Sequence, residues 1–191
     1  MINNILVSKV RIKILKLFFT DLKKEIHIRG IVRKIDEEIN AVRRELKNLE
    51  STGILIKEAR GNRHYYKIDK ECPIFNEILG LINKEFGMGK MIIENAKNLG
   101  DLRYAILTKA YIDNKHESEY DVDLMLIGSI HMDLVAKIIK EAEEQLGREI
   151  RYTVLSAEDF EFRKKKRDSF TLNIITRRNI LLLGDADTLL T

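Results

Sequence analysis

Two aspartates separated by one residue, Asp121 and Asp123, are the residues of this chain whose spacing could support catalysis. They begin the apolar segment DVDLMLI, which predicts a buried strand from Asp121 to Ile127. Acidic side chains two residues apart on a strand point to the same side. Such a pair can bind Mg²⁺ and, through the metal, the phosphates of a nucleotide. The pair is therefore the candidate metal site of the chain.

A second set of residues is suited to reading DNA. Four polar side chains repeat at helical spacing beside the apolar stripe of a predicted helix: Asn40, Arg43, Arg44 and Lys47. Arginine can pair bidentately with guanine and asparagine with adenine, whereas lysine and arginine also hold phosphates. The apolar stripe of the same helix consists of Ile39, Val42, Leu46 and Leu49. We therefore expect one face of this helix in the protein core and the neighbouring face on DNA.

The residues after this helix predict a hairpin with a basic tip. Ile54–Glu58 and His64–Ile68 alternate like strands, and Gly61-Asn62 is typical of a turn. The DNA-contacting candidates at or beside this tip are Arg60, Asn62, Arg63 and His64.

Charge is unevenly distributed along the chain. Residues 1–70 carry 17 Lys and Arg against 9 Asp and Glu, a net charge of +8, whereas residues 71–191 carry 17 against 21, a net charge of −4. A basic N-terminal part joined to an acidic remainder indicates that the first part meets a polyanion.

Composition narrows the class of protein further. The single cysteine, Cys72, excludes an internal disulfide and a cysteine metal cluster. No apolar run is long enough to span a membrane and no signal peptide is evident, so we expect a cytoplasmic protein. Richness in Ile, Lys and Glu, with one proline and no tryptophan, favours a thermophilic source.

The elements that must position these residues follow from periodicity. Helices are predicted over Leu6–Phe19, Arg29–Ile35, from the Asp36-Glu37 turn to Glu50, and over Pro73–Phe86, and Gly87-Met88-Gly89 is predicted to link two domains, residues 1–86 and 87–191. The second domain is predicted to contain helices at Lys90–Leu99, Met132–Leu146 and Ala157–Arg178, and strands at Tyr104–Ile112, Asp121–Ile127, Glu149–Leu155 and Ile180–Leu183. The expected fold class is α+β.

The first part of the chain resembles a winged helix-turn-helix domain of the ArsR-like type found in prokaryotic transcription regulators. The stretches LVSKVRIKILKLF, IHIRGIVRKI, INAVRRELKNLESTGIL and GNRHYYKI carry this resemblance over residues 5–83. It implies binding to double-stranded DNA as a homodimer, with one recognition helix per major groove. The expected dimer elements are the first helix and the helix with Ile74, Ile78, Leu81 and Ile82 on one face, although that face is equally suited to packing within its own domain.

The second part resembles the nucleotidyltransferase superfold related to DNA polymerase beta, an α/β domain with a small mixed sheet. The resemblance rests on element order over residues 88–184 and on Asp121-x-Asp123. It implies a Gly-Ser pair about ten residues earlier and a third acid on a later strand. The Gly-Ser position falls instead on Lys109-Ala110, and the strand around Arg151 offers no carboxylate. We therefore expect a catalytically inactive domain with a vestigial metal site, in which Lys109 pairs with Asp121 or Asp123.

The most basic run of the chain, RKKKR at residues 163–167, follows three acids at Glu158, Asp159 and Glu161. It is interpreted as a solvated helix face, and an added phosphate contact is the alternative.

The chain as a whole is predicted to be a DNA-binding regulator whose second domain oligomerises or senses a small molecule or nucleotide, with no required cofactor. A Mg²⁺-dependent nucleotidyltransferase and an antitoxin-like protein-binding partner are the alternatives.

Overall fold

A computed structural model describes residues 7–190 of the chain and has an α+β fold. The chain divides into two compact units; the first ends at Glu85 and the second begins at Phe86. Each unit has a small sheet of its own. Within residues 7–190, no helix is both long enough and apolar enough to cross a membrane.

The N-terminal unit contains four helices and three strands in its described residues. In chain order they are α1 (Lys9–Phe19), β1 (Ile26–His27), α2 (Ile28–Ile35), α3 (Ile39–Ser51), β2 (Leu55–Arg60), β3 (Arg63–Ile68) and α4 (Phe75–Glu85). The three strands pair in the order β1-β3-β2, and both pairings are antiparallel. The predicted helix start at Leu6 lies outside the described residues. Strand β1 was not predicted, because two residues are too few to show an alternating pattern.

The core of this unit forms where the helices cross. Ile14, Phe18, Ile31 and Leu46 are fully buried, one or two from each of the first three helices. The Ser8 hydroxyl caps α1 by accepting a hydrogen bond from the Arg11 amide. The side chains that α1, α2 and α3 bury recur at helical spacing; in α3 they include Val42, Leu46 and Leu49 of the predicted stripe, whereas Ile39 is half-buried.

Helix α3 buries a carboxylate that the sequence reasoning did not place. Glu45 is 4% exposed, and its carboxylate accepts hydrogen bonds from the Ser8 hydroxyl at 2.8 Å and from Arg11 Nε at 2.9 Å. Burial alone would raise the pKa of Glu45, but these hydrogen bonds and the charge of Arg11 outweigh it, so the pKa lies below its ordinary value. This contact joins α3 to the start of α1 on the face that also buries Val42, Leu46 and Leu49.

The helix expected to form a dimer contact packs partly within its own unit. Phe75, Leu79 and Ile82 of α4 are buried, and the rings of Phe19 and Phe75 lie 5.7 Å apart. Ile74, just before α4, remains 49% exposed. Of the four residues predicted on one apolar face, Ile82 is buried, Ile78 and Leu81 are half-buried and Ile74 is exposed, so that face is only partly used inside the unit.

The C-terminal unit places helices around a four-stranded sheet. Its elements are α5 (Gly87–Asn95), a 3₁₀ turn (Ala96–Asn98), β4 (Gly100–Leu107), α6 (Lys109–Asp113), β5 (Leu124–Ile130), α7 (Met132–Leu146), β6 (Tyr152–Leu155), α8 (Ala157–Lys165), α9 (Ser169–Thr176), β7 (Ile180–Leu183) and α10 (Ala186–Leu190). The strand order is β6-β5-β4-β7; β5 and β6 are parallel, and the other pairs are antiparallel. The bounds of α7 and β7 agree with those predicted.

One face of this sheet is covered by the last three helices. Tyr104 and Ile106 of β4 and Met125 and Ile127 of β5 pack with Phe160 of α8. Ile174, Ile175 and Leu189 of α9 and α10 complete the cluster. Alternate residues of both strands are thus buried by the same layer of helices.

The predicted interdomain linker was wrong. Gly87, Met88 and Gly89 form the first turn of α5, and Met88 is fully buried. Glycine favours loops, but burial of Met88 makes this turn part of the core of the C-terminal unit.

Two predicted strands also had wrong ends, β4 at its C-terminal end and β5 at its N-terminal end. Strand β4 stops at Leu107, because the Thr108 hydroxyl accepts a hydrogen bond from the Ala110 amide and starts α6. Strand β5 begins at Leu124, so Asp121 and Asp123 precede it. Strand alternation therefore does not place the two carboxylates on one side.

Candidate functional site

A basic groove crosses the N-terminal unit between α2, α3 and the β2–β3 hairpin. It consists of two adjoining cavities of about 400 and 650 Å³, which share the side chains of Ile28, Arg43 and His64. The positively charged and imidazole side chains that line it are His27, Arg29, Arg43, Lys47, Lys57, Arg63 and His64. Glu50 is the one acidic residue in its described lining. The groove is therefore suited to a polyanion.

Helix α3 contributes the central part of this groove. Arg43 and Lys47 are exposed and line it, one helical turn apart. Asn40 and Arg44 are exposed on the same helix but do not line the groove. Ile39, predicted as core, is half-buried and lines the groove beside Arg43. The structure thus brings two of the four predicted α3 residues to the groove, and DNA contacts by Asn40 and Arg44 stay predictions.

The start of α2 forms a second wall that the sequence reasoning missed. His27 caps α2, since its Nδ1 accepts a hydrogen bond from the Gly30 amide at 3.2 Å. Its ring also packs edge-on against Tyr65, with centroids 5.7 Å apart. Arg29, in the first helical turn, is exposed and lines the groove. A helix N-terminus carrying an arginine attracts anions through both the helix dipole and the charge.

The hairpin divides its basic residues between the groove and another set of contacts. Asn62, Arg63 and His64 line the groove, as their predicted role requires. Arg60 instead forms ion pairs with Glu25 and Glu58, at 2.6 Å each, and its guanidinium lies 5.2 Å from the centre of the Tyr65 ring. The hydrogen bond to Glu58 is the main reason that the pKa of Arg60 is raised. Because two carboxylates already neutralise it, Arg60 is a weaker candidate than Arg63.

In the C-terminal unit, three residues donate hydrogen bonds to one buried carboxylate. Asp123 is fully buried. Arg148 donates to both of its oxygens, from Nη2 to Oδ1 at 2.9 Å and from Nη1 to Oδ2 at 3.1 Å. Oδ2 also accepts from His116 Nε2 at 2.9 Å and from the Arg151 amide at 3.0 Å. Bidentate arginine pairs of this kind are among the strongest hydrogen-bonded contacts in proteins.

Aromatic packing holds Arg148 in place beneath this carboxylate. Its guanidinium lies 5.7 Å from the centre of the Tyr111 ring, close enough for a cation–π contact. Burial is the main reason that the pKa of Tyr111 is raised. The Arg148 side chain is therefore fixed both by the carboxylate and by the ring.

Asp121 has a different role from Asp123. Its Oδ2 accepts hydrogen bonds from the backbone amides of Glu117 and Ser118, at 2.6 and 2.9 Å, which closes the loop before β5. Neither of these amides is a donor to Asp123. Among residues 7–190, no group of three or more His, Cys, Asp and Glu side chains could hold a metal ion.

The residues around Asp123 do not fit a catalytic metal. Both of its oxygens accept from N–H groups, and a guanidinium cation lies where a metal would need to approach. A divalent ion would have to displace that cation and lose its hydrogen bonds. The predicted pairing of Lys109 with either acid was wrong, because Lys109 Nζ lies 2.6 Å from Asp113. The cation that does pair with Asp123 is Arg148.

A cavity of about 430 Å³ lies beside Asp121 in the same unit. Lys109, Lys115 and Arg177 line it, together with Tyr120 and Phe170. Glu117 and Asp121 also line it, so its lining combines three cations, two carboxylates and two aromatic rings.

Sequence reasoning missed Arg148, His116 and Arg29 for different reasons. Arg148 and His116 lie 25 and 7 residues from their carboxylate partner, so no local motif joins them. Arg29 had a usable signal, since it is a basic residue in the first turn of a predicted helix-turn-helix.

Comparisons with known proteins gave no match. No family model matches the chain, and no curated protein or solved structure matches it. Function is therefore inferred from the residues and the geometry described above.

Proposed function

We propose that this chain is a transcription regulator that binds double-stranded DNA through its N-terminal unit. The observation that carries the proposal is the groove in which Arg43, Lys47 and Arg63, from a helix and a hairpin, face one cleft. Cations from separate elements on one groove are the electrostatic footprint of a nucleic-acid-binding surface.

The order of the elements supports an ArsR-like winged helix as the form of this unit. Helix, strand, helix, helix and hairpin follow one another, and the sheet order is β1-β3-β2. In this arrangement α3 is the recognition helix and the β2–β3 hairpin is the wing. We assign the major groove to Arg43 and Lys47 and the adjacent backbone to Arg63.

A salt titration of duplex binding tests this assignment. Replacing Arg43 and Lys47 together by alanine removes two groove cations and should reduce the slope of log K against log salt by about 2 units. The matched control is Lys23→Ala with Lys70→Ala, which removes two exposed charges of the same unit that do not line the groove. Fluorescence anisotropy with a labelled duplex measures both. Equal slopes for the two double variants would remove the proposal.

The proposed regulator acts as a homodimer, because a two-fold arrangement places two recognition helices on successive major grooves. Exposed Ile74, just before α4, is available for such a contact. Light scattering of the full chain with and without Ile74→Lys measures this, and a monomeric wild-type chain contradicts it.

For the C-terminal unit we propose a nucleotidyltransferase-like fold without metal-dependent transfer. Its mixed sheet, with β5 between antiparallel β4 and parallel β6, supports that fold, and the Arg148–Asp123 pair supports the loss of metal chemistry. The cavity lined by Arg177 and Phe170 is the proposed effector site. Incubation with Mg²⁺ and labelled nucleoside triphosphates should give no transfer. Transfer that Asp123→Asn abolishes would establish the enzymatic alternative.

A further inference from the structure

The basic run at residues 163–167 covers the last turn of α8 and the start of the connection to α9, and two of its five side chains are used internally. Arg163 lies 3.7 Å from Asp168. Lys164 donates to the carbonyl oxygens of Thr188 and Leu189, at 3.3 and 3.4 Å, and its side chain is only 10% exposed. These two cations stabilise the fold.

The other three cations of the run are exposed and form no ion pair with any residue from 7 to 190. They are Lys165, Lys166 and Arg167. Arg167 has a φ of 54°, the left-handed region that glycine adopts most readily. The Arg167 amide donates to the Lys164 carbonyl and the Asp168 amide to the Arg163 carbonyl, which is a Schellman turn. Glycine would satisfy this turn without the steric cost of about 1 kcal/mol that an L side chain brings there.

An exposed aromatic ring lies beside these cations. Phe162 is 62% exposed, and Lys166 Nζ lies 5.9 Å from the centre of its ring. A large apolar ring in water gains nothing for the fold, but its free face can stack on a nucleic-acid base. Cationic side chains next to the ring can then bind the phosphates on either side of the stacked base.

We propose that this corner, defined as Phe162, Lys165, Lys166 and Arg167, binds single-stranded nucleic acid. One base stacks on Phe162, and the three cations hold the adjoining phosphates. A duplex keeps its base faces covered, so the ring selects for single strands. One ring is too small an apolar surface to hold a membrane, and acidic side chains have no aromatic ring to stack on Phe162.

The site shares no residue with the proposed duplex-binding groove, so each can be removed by substitutions that leave the other unchanged. The test is fluorescence anisotropy of the full chain with a labelled oligouridine and with a labelled duplex. Phe162→Ala should weaken single-strand binding roughly 5- to 100-fold, the effect of losing one stacked base, and leave duplex binding unchanged.

A second variant tests the cations. Replacing Lys165 and Lys166 by alanine and Arg167 by glycine should reduce the single-strand salt slope by about 2 units, because single strands lose about 0.7 per contact. Glycine suits the left-handed position, so this variant retains its fold. The control is Lys137→Ala with Lys140→Ala, which removes two exposed lysines of α7, so net charge alone would give it about two thirds of the loss in the triple variant.

Several outcomes would overturn the proposal. Unchanged oligouridine affinity in Phe162→Ala excludes a stacked base, and an equal loss per charge removed in the α7 control reduces the effect to net charge. Loss of oligouridine binding in the Arg43 and Lys47 double variant assigns single strands to the groove instead. Binding to vesicles rich in phosphatidylserine, or to polyglutamate, without binding to oligouridine identifies a different partner.

Discussion

Arg148→Met tests whether the guanidinium of Arg148 compensates the free-energy cost of burying the Asp123 carboxylate. Methionine keeps an unbranched apolar stem of similar reach and removes the charge. Asp123 would then retain only His116 and the Arg151 amide as donors. A buried carboxylate that has lost its cation cannot recover water, because Asp123 has no exposed surface.

The expected cost follows from this burial. Removing one partner of a buried ion pair destabilises by about 3–5 kcal/mol. Asp123→Asn removes the charge instead, and should cost about 1–3 kcal/mol, because the 24% exposed side chain of Arg148 can still reach water. In the double variant no unpaired charge remains, so its cost should fall below the sum of the two by about 1–3 kcal/mol.

Scanning calorimetry of the full chain provides the measurement, since the two units can unfold in separate transitions. For a unit of about this size, each 1 kcal/mol lowers the melting temperature by roughly 4–8 °C. Arg151→Met is the matched control, because Asp123 uses only the Arg151 amide and the exposed guanidinium merely approaches the Ser118 carbonyl at 3.5 Å. That control should change stability by less than about 0.5 kcal/mol. Additive single substitutions, or an Arg148→Met cost no larger than the control, would refute the reasoning.

Three further predictions address the rest of the chain. Glu45→Gln should destabilise the protein by about 1–3 kcal/mol at pH 7. Because the pKa of Glu45 in the folded protein lies below its ordinary 4.5, the advantage of the wild type is complete above about pH 4.5 and is lost as the pH falls through the folded pKa. Urea denaturation across pH 3–7 measures this difference. Gly128→Ala should destabilise the protein by about 3 kcal/mol or more, since the φ of Gly128 is 144° and a Cβ would lie 2.0 Å from the Asp101 carbonyl oxygen. Gly80→Ala, with open space around it in α4, should instead stabilise the protein by about 0.5–1 kcal/mol. Thermal melting measures both. Arg63→Ala should weaken duplex binding more than Arg60→Ala does in the same anisotropy assay; the reverse order would contradict the ion-pair argument.

Local patterns predicted most of the secondary structure. The apolar spacing from Met132 to Leu146 and the glycine after it define α7, because both the repeat and the left-handed C-terminal residue act within a few positions. The Gly61-Asn62 turn likewise predicted the β2–β3 hairpin, with Gly61 at a φ of 58°. The errors fell where a distant contact competes with local preference, as at Gly87, where burial of Met88 draws a glycine-rich turn into a helix.

Candidate sites were predictable only in part. Periodicity identified the exposed face of α3, and this was enough to name Arg43 and Lys47. It did not show that Asn40 and Arg44 lie outside the groove lining, because that depends on where the α2 N-terminus and the hairpin stand.

By itself, the sequence determined which residues carry charge, which helices and hairpin they lie on, and that the basic excess falls in residues 1–70. Only the tertiary structure decided what the acids do. Asp121 and Asp123 look equivalent in the motif, yet one closes a loop and the other pairs with Arg148. Whether a carboxylate meets a metal or a guanidinium depends on burial and on residues remote in the chain, and neither is a property of local spacing.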